Sequence, residues 1–152
     1  MGIWRSLSIK LGFADLKSGR APITVFLLDD DHRRHRWFRK RFANDEIDIT
    51  DNIEEAKDYL SKYKYDAIFL DHDLVPEHYE AQTEHDDERT GVAIAFWMAE
   101  NAQIQPSALI IVHTRNADGA LRMVERLRDA GRQVEYVPFP MLDQRIRNYW
   151  KD

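Results

Sequence analysis

Residues Tyr65 to Leu74 read YDAIFLDHDL, and this stretch decides the fold. Within it, the apolar run Ala67–Leu70 is unbroken and stops at Asp71, His72 and Asp73. A short apolar run bounded by polar residues is typical of a strand buried on both faces of a parallel sheet. Open α/β sheets bind their ligands at the carboxyl ends of such strands. The stretch therefore predicts a central strand that carries ionisable groups to a ligand-binding edge.

Two further apolar runs end in the same way. Residues 23–28 (ITVFLL) are followed by residues 29–32 (DDDH), and residues 108–112 (ALIIV) are followed by residues 113–116 (HTRN). Both runs predict buried strands with polar carboxyl ends. The basic segment at residues 33–41 has helical spacing, and its charged side is either a solvated face or an anion-attracting rim.

The rest of the chain alternates between strand-like and helix-like segments. Shorter strands are predicted at residues 47–50 and 134–137. Asp51, followed three residues later by Glu54, predicts a capping box at the start of one helix, and Asn116 predicts the N-cap of another. The pattern predicts a three-layer, flavodoxin-like α/β fold, with a five-stranded parallel sheet of order 2-1-3-4-5.

Composition limits the class of protein. The chain has 152 residues, of which 43% are hydrophobic and 32% are charged, and this is typical of one soluble globular domain. It has no cysteine, which excludes disulfides, thiolate nucleophiles and thiolate metal sites. Residues 1–20 contain no apolar run long enough for a signal peptide or a membrane span, so we expect a cytoplasmic protein without membrane contact. The net charge of −5 argues weakly against a general nucleic-acid-binding protein.

Two segments fall outside the strand–helix pattern. Residues 1–21 carry four basic residues against one acidic residue and predict an N-terminal arm that packs on the domain or contacts a protein partner, ahead of a domain at residues 22–152. Residues 75–90 are polar and aperiodic, which is typical of a functional or disordered loop. The loop residues His78, His85 and Asp86 are compatible with a second metal site or with a solvated lid.

The polar strand ends predict a metal and phosphate site. In the predicted strand order the first, third and fourth strands are neighbours, so their ends meet in one crevice. Carboxylates crowded there repel one another unless protons or a cation offset their charge. Asp29, Asp30 and Asp71 are therefore the candidate ligands of Mg²⁺ or Mn²⁺, which prefer carboxylate oxygens. Thr114 and Asn116, at the start of the following helix, are the candidate phosphate-binding residues.

These motifs resemble the receiver domain of bacterial response regulators, over roughly residues 22–150. In that family an acidic pair after the first strand binds Mg²⁺, which the resemblance places at Asp29 and Asp30. The aspartate that ends the third strand accepts a phosphoryl group, which the resemblance places at Asp71. The hydroxyl residue that ends the fourth strand corresponds to Thr114.

One departure separates this chain from ordinary receivers. They carry a lysine directly before a proline after the fifth strand, whereas Val137 stands in that place here. Two histidines are added instead, His72 beside Asp71 and His113 beside Thr114. This combination resembles the divergent family called cyclic-phosphate-processing receiver domains. The resemblance implies that the substrate is a cyclic phosphate on a nucleotide or an RNA end, and that the chain does not take part in phosphorelay.

The same residues suggest how such a phosphate would be opened. The reaction needs a base that activates water and an acid that protonates the leaving oxygen, and histidine suits both roles near neutral pH. The candidate catalytic residues are His72 and His113 as an acid/base pair, with Asp71 and with Asp73 as an orienting group. The expectation is a metal-dependent cyclic phosphodiesterase. Two alternatives are a degenerate receiver that acts as a protein-interaction module and a response regulator that accepts an aspartyl phosphate.

Overall fold

The protein is built on one five-stranded parallel sheet. The computed structural model describes residues 19–74 and 91–151. The strands follow the order β2-β1-β3-β4-β5, and every pair of neighbours is parallel. Their bounds are β1 Thr24–Leu28, β2 Glu46–Thr50, β3 Ala67–Leu70, β4 Leu109–Val112 and β5 Val134–Tyr136. The predicted fold class and strand order are confirmed.

Helices cover both faces of the sheet. They are α1 His32–Arg41, α2 Ile53–Lys62, α3 Gly91–Glu100, α4 Ala117–Asp129 and α5 Leu142–Tyr149, with a 3₁₀ turn at Phe139–Met141. Successive strand residues point to opposite faces, so each apolar strand contributes to two cores. One core packs against α1 and α5, and we call this side of the sheet the α1 face (Val25, Leu27, Phe38, Phe69, Ile111, Leu142, Ile146). The other packs against α2, α3 and α4, and we call it the α4 face (Phe26, Leu28, Leu60, Ile68, Leu70, Ile94, Ile110, Met123).

Helix caps fix where the strand ends turn into helices. The Asp31 side chain accepts hydrogen bonds from the backbone N–H groups at the start of α1. Asn116 caps α4 and accepts from the Gly119 N–H, as predicted. The predicted capping box at Asp51 and Glu54 is wrong by one position, because Asn52 is the N-cap of α2 and accepts from the Glu55 N–H. The Thr50 hydroxyl accepts from the Asn52 N–H at 3.1 Å, which keeps Asn52 extended and delays the helix to Ile53.

Several sequence predictions concern residues outside the described ones. Most of the N-terminal arm (residues 1–18) and the polar loop at residues 75–90, with His78, His85 and Asp86, lie there. At the end of the arm, Arg20 forms a paired hydrogen bond with Asp45 at 2.7 and 2.8 Å, so this part of the arm contacts the domain. Within residues 19–74 and 91–151, no helix has the length and apolar character needed to cross a membrane.

Candidate metal and phosphate site

The strand register places four side chains in one row across the carboxyl edge of the sheet. The pairs Leu28–Leu70, Leu70–Val112 and Val112–Tyr136 are in register, so the residues that follow these strands are also level with one another. Backbone hydrogen bonds of 2.9–3.0 Å continue the ladder to this next row. The row consists of Asp29, Asp71, His113 and Val137, on the α1 face of the sheet.

Asp29 is fully buried and holds four hydrogen bonds. Its Oδ1 accepts from the Asp31 N–H and from Arg34 Nη2, both at 2.8 Å. Its Oδ2 accepts from Arg34 Nε at 2.7 Å and from His113 Nε2 at 2.8 Å. Burial by itself would raise the pKa of Asp29, but the bonds from His113 and Arg34 outweigh it and hold this pKa well below its usual range. Asp29 is therefore ionised, and His113 Nε2 is the hydrogen-bond donor to it.

Arg34 is a site residue that the sequence analysis did not identify. Its Nη2 donates to Asp71 Oδ2 at 2.8 Å as well as to Asp29, so one guanidinium bridges the ends of β1 and β3. Burial would lower the pKa of Arg34, but the surrounding carboxylates raise it above its ordinary value. One signal was present in the sequence: an arginine in the first turn of a helix whose preceding turn carries three aspartates. That signal was hidden because five other basic residues lie between Arg33 and Arg41.

Asp29, Asp30 and Asp71 form an acidic cluster in which one oxygen from each residue lies within 4.8 Å of the others. Burial, with repulsion from Asp71 and Asp29, raises the pKa of Asp30 to about 6. Burial and the Asp29 charge raise the pKa of Asp71, against the opposing effects of His113, Arg34 and a hydrogen bond from the Thr114 hydroxyl. The cluster therefore has more negative charge than Arg34 compensates, and the remaining repulsion destabilises the ionised forms of Asp30 and Asp71.

His72 lies on the other side of the sheet from this row. The strand alternation that puts Asp71 on the α1 face puts His72 on the α4 face. The His72 ring packs against the first turn of α4, where a Cβ on Gly119 would lie 2.3 Å from His72 Cδ2. His72 Nδ1 lies 2.7 Å from Asp73 Oδ1, and its backbone N–H donates to Asp71 Oδ1 at 2.9 Å. His72 and Asp73 thus form an oriented histidine–aspartate pair next to the acidic cluster.

The two histidines do not form the pair that the sequence analysis expects. The His113 ring packs against Phe38 and Phe69 on the α1 face, and its side chain is 0% exposed. The His72 side chain is 11% exposed and belongs to the α4 face. Two neighbouring strand ends deliver these rings to opposite faces because Asp71, and not His72, is level with His113. His113 therefore contacts Asp29, and of these two histidines His72 is the one with solvent contact.

The predicted phosphate-binding residues lie next to these two histidines. Thr114 follows His113 in the chain, and Asn116 is close to His72. Thr114 is buried, and its Oγ1 accepts from the Asn116 N–H at 3.1 Å. The Asn116 side chain caps α4 and lies 3.5 Å from His72 Nδ1. The register puts His113 level with Asp71, so Thr114 lies one residue beyond this row. Thr114 still reaches Asp71 through its hydroxyl.

The acidic cluster fits a hard divalent cation. Three carboxylates in close reach, two of them with raised pKa values, are the donor set that Mg²⁺ and Mn²⁺ prefer. A cation bound there would reduce the repulsion and stabilise the ionised forms of Asp30 and Asp71. Asp29 has its four lone-pair positions filled by hydrogen bonds, so it can become a ligand only if a donor leaves.

The raised pKa of Asp30 predicts a pH-dependent effect on stability in chelator-treated protein. The folded-state pKa of Asp30 is about 6, above its ordinary value of 3.8. The stability that this group contributes below pH 3.8 is therefore lost as the pH rises through 6. We expect Asp30→Asn to increase the free energy of unfolding at pH 7.5 by about 1–2 kcal/mol, and by almost nothing at pH 4. Urea titration at both pH values in EDTA measures this difference.

The exposed Asp51 offers a matched control, because Asp51→Asn makes the same chemical change outside the cluster. We expect its effect to stay within about 0.5 kcal/mol at both pH values. Equal stability of the wild type and Asp30→Asn at pH 7.5 would contradict the repulsion inferred for Asp30.

Comparisons with solved structures give the same architecture. A CheY-like receiver domain protein from Methanospirillum hungatei has a TM-score of 0.61 at 16% identity, covering 85% of this chain and 94% of that one. The Mn²⁺-bound form of response regulator Rcp1 has a TM-score of 0.62 at 14% identity, covering 86% and 96%. A receiver domain from Methylobacillus flagellatus has a TM-score of 0.59 at 12% identity, covering 84% and 98%. These likenesses establish the receiver fold.

The comparison with family models is more specific. No curated protein matches the chain at a significant level. Residues 23–129 match the model of the Cyclic-phosphate processing Receiver domain. This range runs from β1 to the end of α4 and contains the acidic cluster, both histidines and the cap of α4. The chain therefore belongs to the cyclic-phosphate processing receiver domain family.

Proposed function

We propose that the carboxyl edge of this sheet binds a cyclic phosphate, on a nucleotide or an RNA end, and hydrolyses it with the help of Mg²⁺ or Mn²⁺. The observation that carries the proposal is the acidic cluster at the end of β3, where the next two residues of the chain form an oriented histidine–aspartate pair. Membership of a family described as cyclic-phosphate processing supports the substrate class. The fold alone would not, because receiver folds support other functions.

Asp29, Asp30 and Asp71 are the residues that would hold the cation. A divalent cation at a phosphate neutralises negative charge on the phosphoryl oxygens and so favours attack by water. The N-terminal turn of the thirteen-residue helix α4, with Thr114 beside it, offers backbone N–H groups to the same phosphate. Phosphate would thus lie between the end of β3 and the start of α4.

His72 is the residue we assign to proton transfer. Hydrolysis forms a bond between a water oxygen and phosphorus, breaks one ring P–O bond and leaves a proton on the sugar oxygen. The Asp73 carboxylate accepts the Nδ1–H of His72, which would leave the Nε2 lone pair to take the proton from water. The imidazolium then returns this proton to the leaving sugar oxygen.

His113 is assigned a positioning role. Its ring is buried against Phe38 and Phe69, and its Nε2 donates to Asp29 Oδ2 at 2.8 Å. Its Nδ1 has no hydrogen-bond partner among residues 19–74 and 91–151. His113 therefore holds the Asp29 carboxylate in place, as groups that hydrogen-bond to metal ligands do in general.

A phosphorelay function is less well supported by this geometry. Arg34 already occupies Asp71 Oδ2, and the buried Val137 lies where an ordinary receiver has its lysine. A protein-interaction module without catalytic activity is the second candidate. The observations that favour it are the buried His113 and the apolar Val137.

The test combines a substrate panel with a metal titration. We expect one of the 2′,3′- or 3′,5′-cyclic nucleotides, or an RNA ending in a 2′,3′-cyclic phosphate, to be hydrolysed in the presence of Mn²⁺ and not in EDTA. Asp71→Asn should weaken Mn²⁺ binding, measured by calorimetry, by about 10–100-fold. Asp51→Asn should leave it unchanged. If no member of the panel binds or reacts, the interaction module takes precedence, and equal Mn²⁺ binding by Asp71→Asn would remove the metal site.

A further inference from the structure

Arg34 holds two of the three members of the acidic cluster at the position where a metal would be needed. Its Nη2 is 2.8 Å from Asp29 Oδ1 and 2.8 Å from Asp71 Oδ2. Its Nε adds a third bond, to Asp29 Oδ2 at 2.7 Å. Together with the Asp31 N–H and His113 Nε2, these contacts fill all four lone-pair positions of Asp29.

We propose that Arg34 is an exchangeable counter-cation of the acidic cluster: a divalent cation displaces its guanidinium from Asp29 and Asp71, and the released guanidinium then binds the substrate phosphate. The first step depends on the acidic cluster alone, whereas the second step rests on the proposed function.

Displacement follows from the positions of the charges. A cation bound among carboxylates within 4.8 Å of one another would lie beside a guanidinium that touches two of them. Like charges at such short range repel strongly, even where the effective dielectric constant is high. Of the four donors on Asp29, two belong to the buried His113 and to the backbone at Asp31. Arg34 is the donor on a movable side chain, and this side chain is 19% exposed.

The helix that carries Arg34 stays in place when the side chain moves. In the residues that follow Arg34 in α1, His35 Nε2 is hydrogen-bonded to the Asp29 carbonyl at 2.6 Å, and Phe38 packs against Phe42 and Phe69. The guanidinium therefore remains at the edge of the site after its release. A planar guanidinium presents paired N–H donors that match phosphate oxygens, and Val137 leaves the opposite end of the row without a cation.

Arg33 provides a matched control for this proposal. It neighbours Arg34 on α1, its side chain is 82% exposed, and its contact with Asp31 is 3.6 Å long. Calorimetric titration with Mn²⁺ alone should give a binding constant for Arg34→Gln about 10–100-fold tighter than that of the wild type. Arg33→Gln, with the same loss of charge, should stay within about twofold. An unchanged or weaker Mn²⁺ affinity for Arg34→Gln would overturn the displacement.

Two further measurements keep the test independent of how well Arg34→Gln folds. In the wild type, saturating Mg²⁺ should shift the ¹⁵N–¹H resonance of Arg34 Nε, and an unshifted resonance would overturn the proposal. Arg34→Lys keeps the charge but replaces the planar fork of donors with a single nitrogen, so its Mn²⁺ affinity should fall between those of the wild type and Arg34→Gln. A value equal to that of the wild type would show that charge alone matters and would contradict the exchange of hydrogen bonds.

A final titration tests the second step. With Mg²⁺ saturating, Arg34→Gln should bind 2′,3′-cyclic AMP at least about 10-fold more weakly than the wild type, and Arg33→Gln should bind it as the wild type does. Equal binding by Arg34→Gln would overturn the transfer to phosphate. If the wild type binds no cyclic phosphate, the proposed function and this second step fail together, while the Mn²⁺ titration still decides the first.

Discussion

Replacing His72 with alanine is expected to lower kcat for cyclic-phosphate hydrolysis by about 10²–10⁴-fold, the usual contribution of one proton-transfer group. KM should change little, because the cluster and the first turn of α4 would still hold the phosphate. Asp73→Asn should give a smaller loss, since it removes the group that orients His72 at 2.7 Å without removing the imidazole. Steady-state rates measured from pH 5 to pH 9 test both variants.

The exposed His32 gives the control for this substitution. It lies at the start of α1, directly after the aspartates that follow β1, and its side chain faces solvent. His32→Ala should therefore retain the wild-type kcat. Near-wild-type turnover by His72→Ala would remove His72 from the chemistry. Absence of turnover in the wild type, with His72→Ala altering affinity only, would favour the interaction module.

The second large effect is expected for Gly91→Ala, at the start of α3. A Cβ at this position would lie 1.8 Å from the Asp71 carbonyl oxygen, and this neighbour is backbone that cannot rotate away. The Gly91 N–H also donates to the His72 carbonyl at 2.8 Å. We expect a loss of about 3 kcal/mol in the free energy of unfolding. A fall in Tm of roughly 6–12 °C follows for a chain of this size.

Gly131→Ala separates this clash from the general cost of replacing a glycine. Gly131 has a φ of +80° with open space around it, so alanine there meets backbone strain and no neighbour. The expected cost is about 1 kcal/mol. Urea unfolding curves measure both values, and similar losses for the two variants would contradict the close contact between α3 and the end of β3.

The strands could be predicted because their signal is local. The apolar runs that include Ala67–Leu70 are buried on both faces, and such runs are readable from composition and length. The polar residues after them could be assigned to one edge, since parallel strands share their carboxyl ends. The acidic cluster follows from this argument, and the structure brings Asp29, Asp30 and Asp71 together.

What could not be predicted depends on register and on side-chain direction. A shift of one residue moves a side chain to the other face of a sheet. The sequence does not show that His113, and not Thr114, is level with Asp71, and this one-residue difference separates His113 from His72. Arg34 could not be assigned to the site from the sequence for a related reason, because the direction of its side chain depends on the angle at which α1 leaves β1. Gly119 carried a weak signal, since glycine in a helix requires a reason, but that reason is the ring of His72.

The Arg34–Asp29 pair also bears on the order in which the chain assembles. The two residues are five positions apart, within one strand–helix turn, whereas Asp29 and His113 are 84 positions apart. Closing a short loop costs less chain entropy and occurs sooner than bringing distant strands together. We therefore expect the carboxylate of Asp29 to pair with Arg34 as β1 and α1 form, before β4 brings His113 to it. A charge that ends fully desolvated is thus neutralised locally during folding, and the growing sheet does not have to close over a bare anion.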